Sequence, residues 1–114
     1  MSFEPHDYLR HILAEVEYLL DQSRTLTYER FVADQTLRRA FVRSLEIIGE
    51  AVKNLPTEFR VSHPEVAWRP MAQMRDRLIH SYFGVDYQLA WDVVFEKLPE
   101  LKRSIQRIID SQQA

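Results

Sequence analysis

The feature that most constrains the fold is a run of apolar residues between positions 35 and 55. Its members recur at spacings of three and four residues: Leu37, Ala40, Phe41, Leu45, Ile48, Ala51, Val52 and Leu55. Such a period places them on one face of an α-helix, so the stretch predicts a central helix that buries this face. Asp34 is a good N-cap residue, and Pro56 ends the helix. Gly49 lies inside the predicted helix and indicates a close approach of a neighbouring helix.

Similar patterns predict the other helices. We expect a first helix over residues 5–22 and a short helical turn over 28–33. A connector punctuated by prolines follows, with Trp68 as a core or interface residue in it. Pro70 then begins a helix that buries Met71, Met74 and Leu78, and we expect this helix to continue to a C-cap or turn at Gly84. Asp86 is the predicted N-cap of a helix to residue 98, and Pro99 begins the last one.

The composition fits this interpretation. The chain has 114 residues, which predicts one domain over 1–114, and it has only two glycines with 28% charged and 46% hydrophobic residues. These values favour an all-α globular protein over a disordered or all-β one.

The composition also narrows the possible functions. With zero cysteines the chain has no disulfide, thiolate metal site or cysteine nucleophile, and we expect a cytoplasmic protein. The N-terminus does not resemble a signal peptide, and no segment approaches the roughly 20 apolar residues of a membrane span. The net charge of −2 argues against nucleic-acid binding by overall electrostatics, so any RNA contact must be local.

Chemistry is concentrated in the stretch Arg75-Asp76-Arg77-Leu78-Ile79-His80-Ser81-Tyr82. An arginine offers fixed charge and planar donors to phosphate, and a histidine titrates near neutral pH. This pairing suits phosphate-ester chemistry. The alternative is an amphipathic helix end with a surface arginine and a capping histidine.

Helical spacing predicts how these groups meet. Asp76 and His80 are four residues apart, so on a helix they share a face and the carboxylate orients the imidazole. Arg75 would lie about 140° from His80 on an ideal helix. The helix could unwind near His80, the Arg75 side chain could curl round, or two protomers could bring their motifs together. We favour the third arrangement.

Such a site can cleave RNA without a metal. The ribose 2′-OH supplies the nucleophile, the histidine acts as general acid/base, and the arginine stabilises charge on the phosphoryl oxygens. Tyr82 either stacks on a base or closes the helix end. Arg39 and Arg43 form a basic strip one turn apart on the central helix, either facing phosphate or exposed to solvent and balanced by Glu46 and Glu50.

The spacing of Arg75, His80 and Tyr82 resembles the Arg-x4-His-x-Tyr motif of the HEPN superfamily, specifically HepT-like toxins. The likeness covers most of the chain, since residues 45–51, 68–69 and 74–86 and Trp91 are also similar to that family. It implies an all-α, antiparallel bundle of four to five helices. It further implies a homodimer whose two motifs line a composite cleft, and a metal-independent endoribonuclease acting on mRNA or tRNA without a cofactor.

The resemblance also implies a partner and residue roles. The partner is a minimal nucleotidyltransferase antitoxin, which in some systems transfers AMP to the motif tyrosine, here Tyr82. We therefore predict His80 as general acid/base, Arg75 as phosphate stabiliser and Asp76 as the residue that orients His80. Possible RNA contacts are Arg39, Arg43 and Arg77. One alternative is a non-catalytic nucleotide- or RNA-binding module that partners a nucleotidyltransferase; another is a dimeric scaffold without a ligand.

Overall fold

The computed structural model describes residues 4–79 and 84–113 of the chain, and this part is all-α, as predicted. The longer helices are α1 (Pro5–Ser23), α3 (Gln35–Asn54), α7 (Tyr87–Glu96) and α8 (Leu98–Gln113). The short ones are α2 (Tyr28–Ala33), α4 (Thr57–Ser62), α5 (Trp68–Ala72) and α6 (Met74–Leu78). Within these residues, no helix combines the length and apolar character needed to cross a bilayer.

Helix α3 is central, because it packs against α1, α2, α5, α6 and α7, while α8 packs against α1 and α7. The predicted apolar stripe is the buried face of α3, with Phe41, Leu45, Ile48 and Val52 among its members. The side chain of Asp34 accepts a hydrogen bond of 3.0 Å from the Leu37 amide, which confirms the predicted cap.

Gly49 lets α5 approach the backbone of α3. A Cβ built on Gly49 would lie 2.9 Å from the Met71 carbonyl oxygen, closer than a methyl group tolerates. The prediction of a close helix approach at this glycine is therefore confirmed. The contact sets how near α5, and α6 after it, lie to the central helix.

Trp68 anchors the connector before α5. Its side chain is buried, and its indole N–H donates a hydrogen bond of 2.9 Å to the carbonyl oxygen of His63. Phe59 packs near both rings, with centroid distances of 4.6 Å to His63 and 6.3 Å to Trp68. The prediction that Trp68 is a core residue is confirmed.

The helix predicted to run from Pro70 to Gly84 differs from the one observed. It is broken at Gln73 between α5 and α6, and α6 ends at Leu78. Ile79 is extended, with φ −113° and ψ 95°, and pairs with Val85 in an isolated antiparallel bridge. The helix ends here because backbone groups of residues 78 and 79 bind the start of the next element instead of continuing the helical ladder.

Candidate active site at the junction of α6 and α7

The end of α6 and the start of α7 are joined by backbone contacts. The amide of Asp86 donates a hydrogen bond of 2.7 Å to the Leu78 carbonyl oxygen, beside the bridge between Ile79 and Val85. We call this arrangement, residues 78–79 with 85–86, the junction. His80 and Tyr82 follow Ile79 in sequence and lie outside the described residues. The described residues on either side of positions 80–83 therefore lie close together.

Asp86 holds the second side of the junction in place. Its side chain accepts a hydrogen bond of 2.9 Å from the Leu89 amide and caps α7, as the sequence predicted. Its backbone amide meanwhile binds α6. One residue thus fixes both where α7 begins and where the segment bearing the motif ends.

Arg75 reaches from α6 to α3. Its Nε lies 3.5 Å from Oε2 of Glu46, and the two side chains are 60% and 20% exposed, respectively. The nearest approach uses the inner nitrogen of the guanidinium group, and most of the side chain remains accessible. Arg75 can therefore bind an anion from solvent while Glu46 holds its stem.

Asp76 is exposed on α6, and its predicted partner His80 is not among the described residues. Helix α6 ends at Leu78, before position 80. The separation of about 140° between Arg75 and His80, which also assumes a continuous helix, likewise stays a prediction. The role of Asp76 in orienting His80 stays a prediction.

Arg39 and Arg43 are both exposed on the face of α3 that also carries Glu46. Residues three or four apart on a helix are neighbours, so this basic strip leads from Arg39 through Arg43 towards the Arg75 contact. The acids expected to balance it are paired elsewhere: Glu46 with Arg75, and Glu50 with Lys53 at 3.8 Å. Over residues 4–79 and 84–113, no ion pair neutralises either arginine of the strip.

Arg77 lies on another face of α6. It lines a groove of about 470 Å³ formed by α5, α6, α7 and α8, together with acidic side chains that include Asp92 and Glu96. Arg75 instead faces α3. The structure thus separates Arg77 from Arg75 and from the basic strip, and an RNA contact by Arg77 stays a prediction.

Comparison with known proteins identifies the family. The model of the family described as ribonuclease HepT-like matches residues 9–108. The chain belongs to this family. The family resemblance inferred from the motif is thereby confirmed, and with it the assignment to a class of ribonucleases.

Several curated proteins resemble this HepT-like chain over nearly its whole length. A candidate RNase of Caldanaerobacter subterraneus is 51% identical over 108 residues, which are 95% of this chain and 96% of the relative. The "Probable ribonuclease HepT" of Thermococcus cleftensis is 45% identical over 102 residues, 90% of this chain and 93% of the relative. A candidate RNase of Methanocaldococcus jannaschii is 43% identical over 102 residues, 90% and 84% respectively. Comparison with solved structures gave no match.

Two contacts near the junction are not predicted by the sequence. Glu46, expected to balance the basic strip, contacts Arg75 instead. Arg38 stacks on Tyr87, with its guanidinium carbon 4.8 Å from the ring centre. Both contacts join residues distant in sequence, so no local spacing signals them.

The described part of the chain contains no group of three His, Cys, Asp or Glu side chains close enough to hold a metal ion. The metal independence expected for this family member remains a prediction, because its test is catalytic. A chelator assay addresses it directly.

Proposed function

We propose that this HepT-like chain is a metal-independent endoribonuclease toxin of a toxin–antitoxin pair, acting on mRNA or tRNA. The observation that carries the proposal is the accessible guanidinium group of Arg75, held by Glu46 beside the junction from which the His80 segment begins. Membership of the ribonuclease HepT-like family supports the same reaction. The basic strip of Arg39 and Arg43 supports RNA as the substrate, because its charges are not neutralised by ion pairs within the described ranges.

In the proposed reaction the ribose 2′-oxygen bonds to the adjacent phosphorus and the bond to the 5′-oxygen breaks. The products are a 2′,3′-cyclic phosphate and a free 5′-hydroxyl. His80 acts as general acid/base for the 2′-OH proton and the leaving oxygen, and Asp76 orients it. Arg75 stabilises the charge that develops on the phosphoryl oxygens. Each role uses a group that the chain itself supplies.

We further propose that the active enzyme is a dimer in which the motifs of both protomers line one cleft. We expect it to act in the cytoplasm. Separating the dimer should then abolish cleavage while leaving the helical content nearly unchanged. A fully active monomer would refute this part of the proposal. Circular dichroism measured beside the cleavage assay distinguishes loss of assembly from loss of fold.

The proposed antitoxin is a minimal nucleotidyltransferase that transfers AMP to Tyr82. A bulky anionic group at this position would compete with RNA for the phosphate site and repel the substrate. The expected result is a mass increase of one AMP on the wild-type toxin and none on Tyr82→Phe. An unmodified wild-type toxin that is nevertheless inhibited would show that the antitoxin acts by binding alone.

The main experiment incubates purified, partner-free protein with RNA in the presence of a chelator and analyses the ends. Wild type should yield 2′,3′-cyclic phosphate ends, while His80→Ala and Arg75→Ala should each lose about 10²-fold or more in rate. Arg10→Ala, which removes an exposed arginine from α1, is the matched control and should retain activity. Identical behaviour of wild type and His80→Ala would exclude the enzymatic proposal.

The alternative is a non-catalytic RNA-binding module that partners a nucleotidyltransferase. The exposed basic strip favours it, because Arg39 and Arg43 can bind phosphate without any chemistry. This alternative predicts no cleavage, with RNA binding that survives His80→Ala and is lost in Arg75→Ala. The same protein preparations therefore decide between the two functions.

A further inference from the structure

Arg38 has an environment that the proposed chemistry does not explain. It is half-buried on α3, with its guanidinium carbon 4.8 Å from the centre of the Tyr87 ring. Its Nε is buried without a hydrogen-bond partner, and no carboxylate pairs with it in the part of the chain that the structure describes. Stacking on an aromatic ring holds the guanidinium group in place but does not neutralise its charge.

The position of Arg38 relates it to the candidate site. Tyr87 is the first residue of α7, and its amide donates a hydrogen bond of 3.1 Å to the carbonyl oxygen of Val85 in the junction. Along α3, Arg38 precedes Glu46 by about 12 Å of helix. Arg38 therefore contacts the first residue of α7, which follows the junction, while Arg75, held by Glu46, belongs to α6, which precedes it.

We propose that Arg38 is a second phosphate-binding residue, which binds a phosphate of the RNA strand other than the one that is cleaved. The substrate class rests on the proposed function above. An arginine presents a planar fork that matches phosphate oxygens, and an arginine already fixed by stacking loses less side-chain freedom when it binds. Tyr87 is thus a positioning residue for Arg38.

The face of α7 that carries Tyr87 favours a nucleic-acid strand over a free phosphate ion. Trp91 and Phe95 follow Tyr87 at intervals of four residues on α7, and their ring centres are 4.4 Å apart. Trp91 is half-buried and Phe95 is 45% exposed. Single-stranded bases stack on flat aromatic side chains such as these, which lie on the same face of α7 as the ring that holds Arg38.

The test measures binding of a single-stranded RNA whose 2′-hydroxyls are methylated, so that it cannot be cleaved, at several salt concentrations. Loss of one phosphate contact should lower the slope of log affinity against log salt by about 0.7. We expect this change in Arg38→Met, which keeps an apolar stem on Tyr87, together with about tenfold weaker binding at low salt. Arg10→Ala, the exposed arginine of α1, should leave the slope unchanged.

Further variants separate binding from packing. Tyr87→Phe keeps the ring and should bind like wild type, whereas Tyr87→Leu removes the platform and should weaken binding. Circular dichroism verifies the fold, and Arg38→Gln replaces Arg38→Met if the latter does not fold. A folded Arg38 variant with the wild-type salt slope overturns the proposal.

Inorganic phosphate tests whether Arg38 binds a free phosphate ion instead of a phosphate group of RNA. If phosphate alone raises the Tm of wild type but not of Arg38→Met, while RNA binding is the same in both, the site serves a free anion and the RNA proposal is overturned. Cleavage is measured separately on unmodified RNA. A wild type that does not cleave, but shows the Arg38-dependent slope, would refute the ribonuclease proposal and leave this one standing.

Discussion

Arg75 on α6 and Glu46 on α3 approach to 3.5 Å between Nε and Oε2, which links the motif to the central helix. Glu46 is the less exposed partner, at 20% against 60% for Arg75. The carboxylate therefore acts as a fixed point and the guanidinium group as the movable end. This contact suggests that Glu46 sets the orientation from which Arg75 meets phosphate.

Replacing Glu46 by glutamine should lower the rate of RNA cleavage. An exposed ion pair is worth about 0.2–1 kcal/mol, so we expect kcat/KM to fall by up to about fivefold, with little change in stability. Steady-state cleavage and thermal unfolding measure the two effects. Glu50→Gln is the matched control, because Glu50 also pairs on α3, at 3.8 Å from Lys53, but does not contact Arg75. Faster cleavage by Glu46→Gln would show that Glu46 competes with phosphate instead of positioning Arg75.

Two N-cap residues offer a comparison between stability and function. Asp34 caps α3 and Asp86 caps α7, and each side chain accepts a hydrogen bond from the amide three residues later. Replacing either by alanine should cost about 1 kcal/mol of unfolding free energy. Only Asp86→Ala should also reduce cleavage, because losing the side-chain cap loosens the start of α7, where the backbone amide of residue 86 binds the Leu78 carbonyl oxygen. Equal activity in both variants, measured at a temperature where both remain folded, would contradict this prediction.

Gly49→Ala should destabilise the protein although alanine is the better helix former. The propensity gain is about 1 kcal/mol, but the new methyl group would meet the Met71 carbonyl oxygen at 2.9 Å. Overpacking typically costs about 1–3 kcal/mol, so we expect a net loss of about 1 kcal/mol in chemical denaturation. A more stable variant would mean that α5 moves away from α3 at little cost.

The charge cluster on α8 should make a pH-dependent contribution to stability. A hydrogen bond from Arg103, reinforced by the charges of Arg103 and Arg107, lowers the pKa of Glu100 below its ordinary value of 4.5. A lowered pKa stabilises the fold above the unfolded-state pKa, and the contribution disappears as pH falls through the folded-state value. The Tm difference between wild type and Glu100→Gln should therefore be present at pH 7, shrink as the pH falls below 4.5, and vanish only below the folded-state pKa of Glu100. Because the Glu100 side chain is exposed, high salt should also reduce this difference.

Local signals predicted most of the helices well. The caps at Asp34 and Asp86, the buried face of α3 and the short helix after Thr27 each depend on residues within a few positions of one another. The prediction of one continuous helix from Pro70 was wrong, because the structure breaks it at Gln73 and ends α6 at Leu78. Its end depends on a hydrogen bond from Asp86 and a bridge to Val85, which the helical periodicity of residues 71–78 does not signal.

The all-α class, the central helix and the family can be predicted without a structure, because apolar period, capping residues and motif spacing are properties of neighbouring positions. Which charged side chains meet depends on how the helices pack. Arg75 pairs with Glu46, Arg38 stacks on Tyr87, and Arg77 lines the groove formed by α5, α6, α7 and α8. The physical reason is that these contacts join separate helices, whose relative placement follows from core packing, such as the approach of α5 at Gly49.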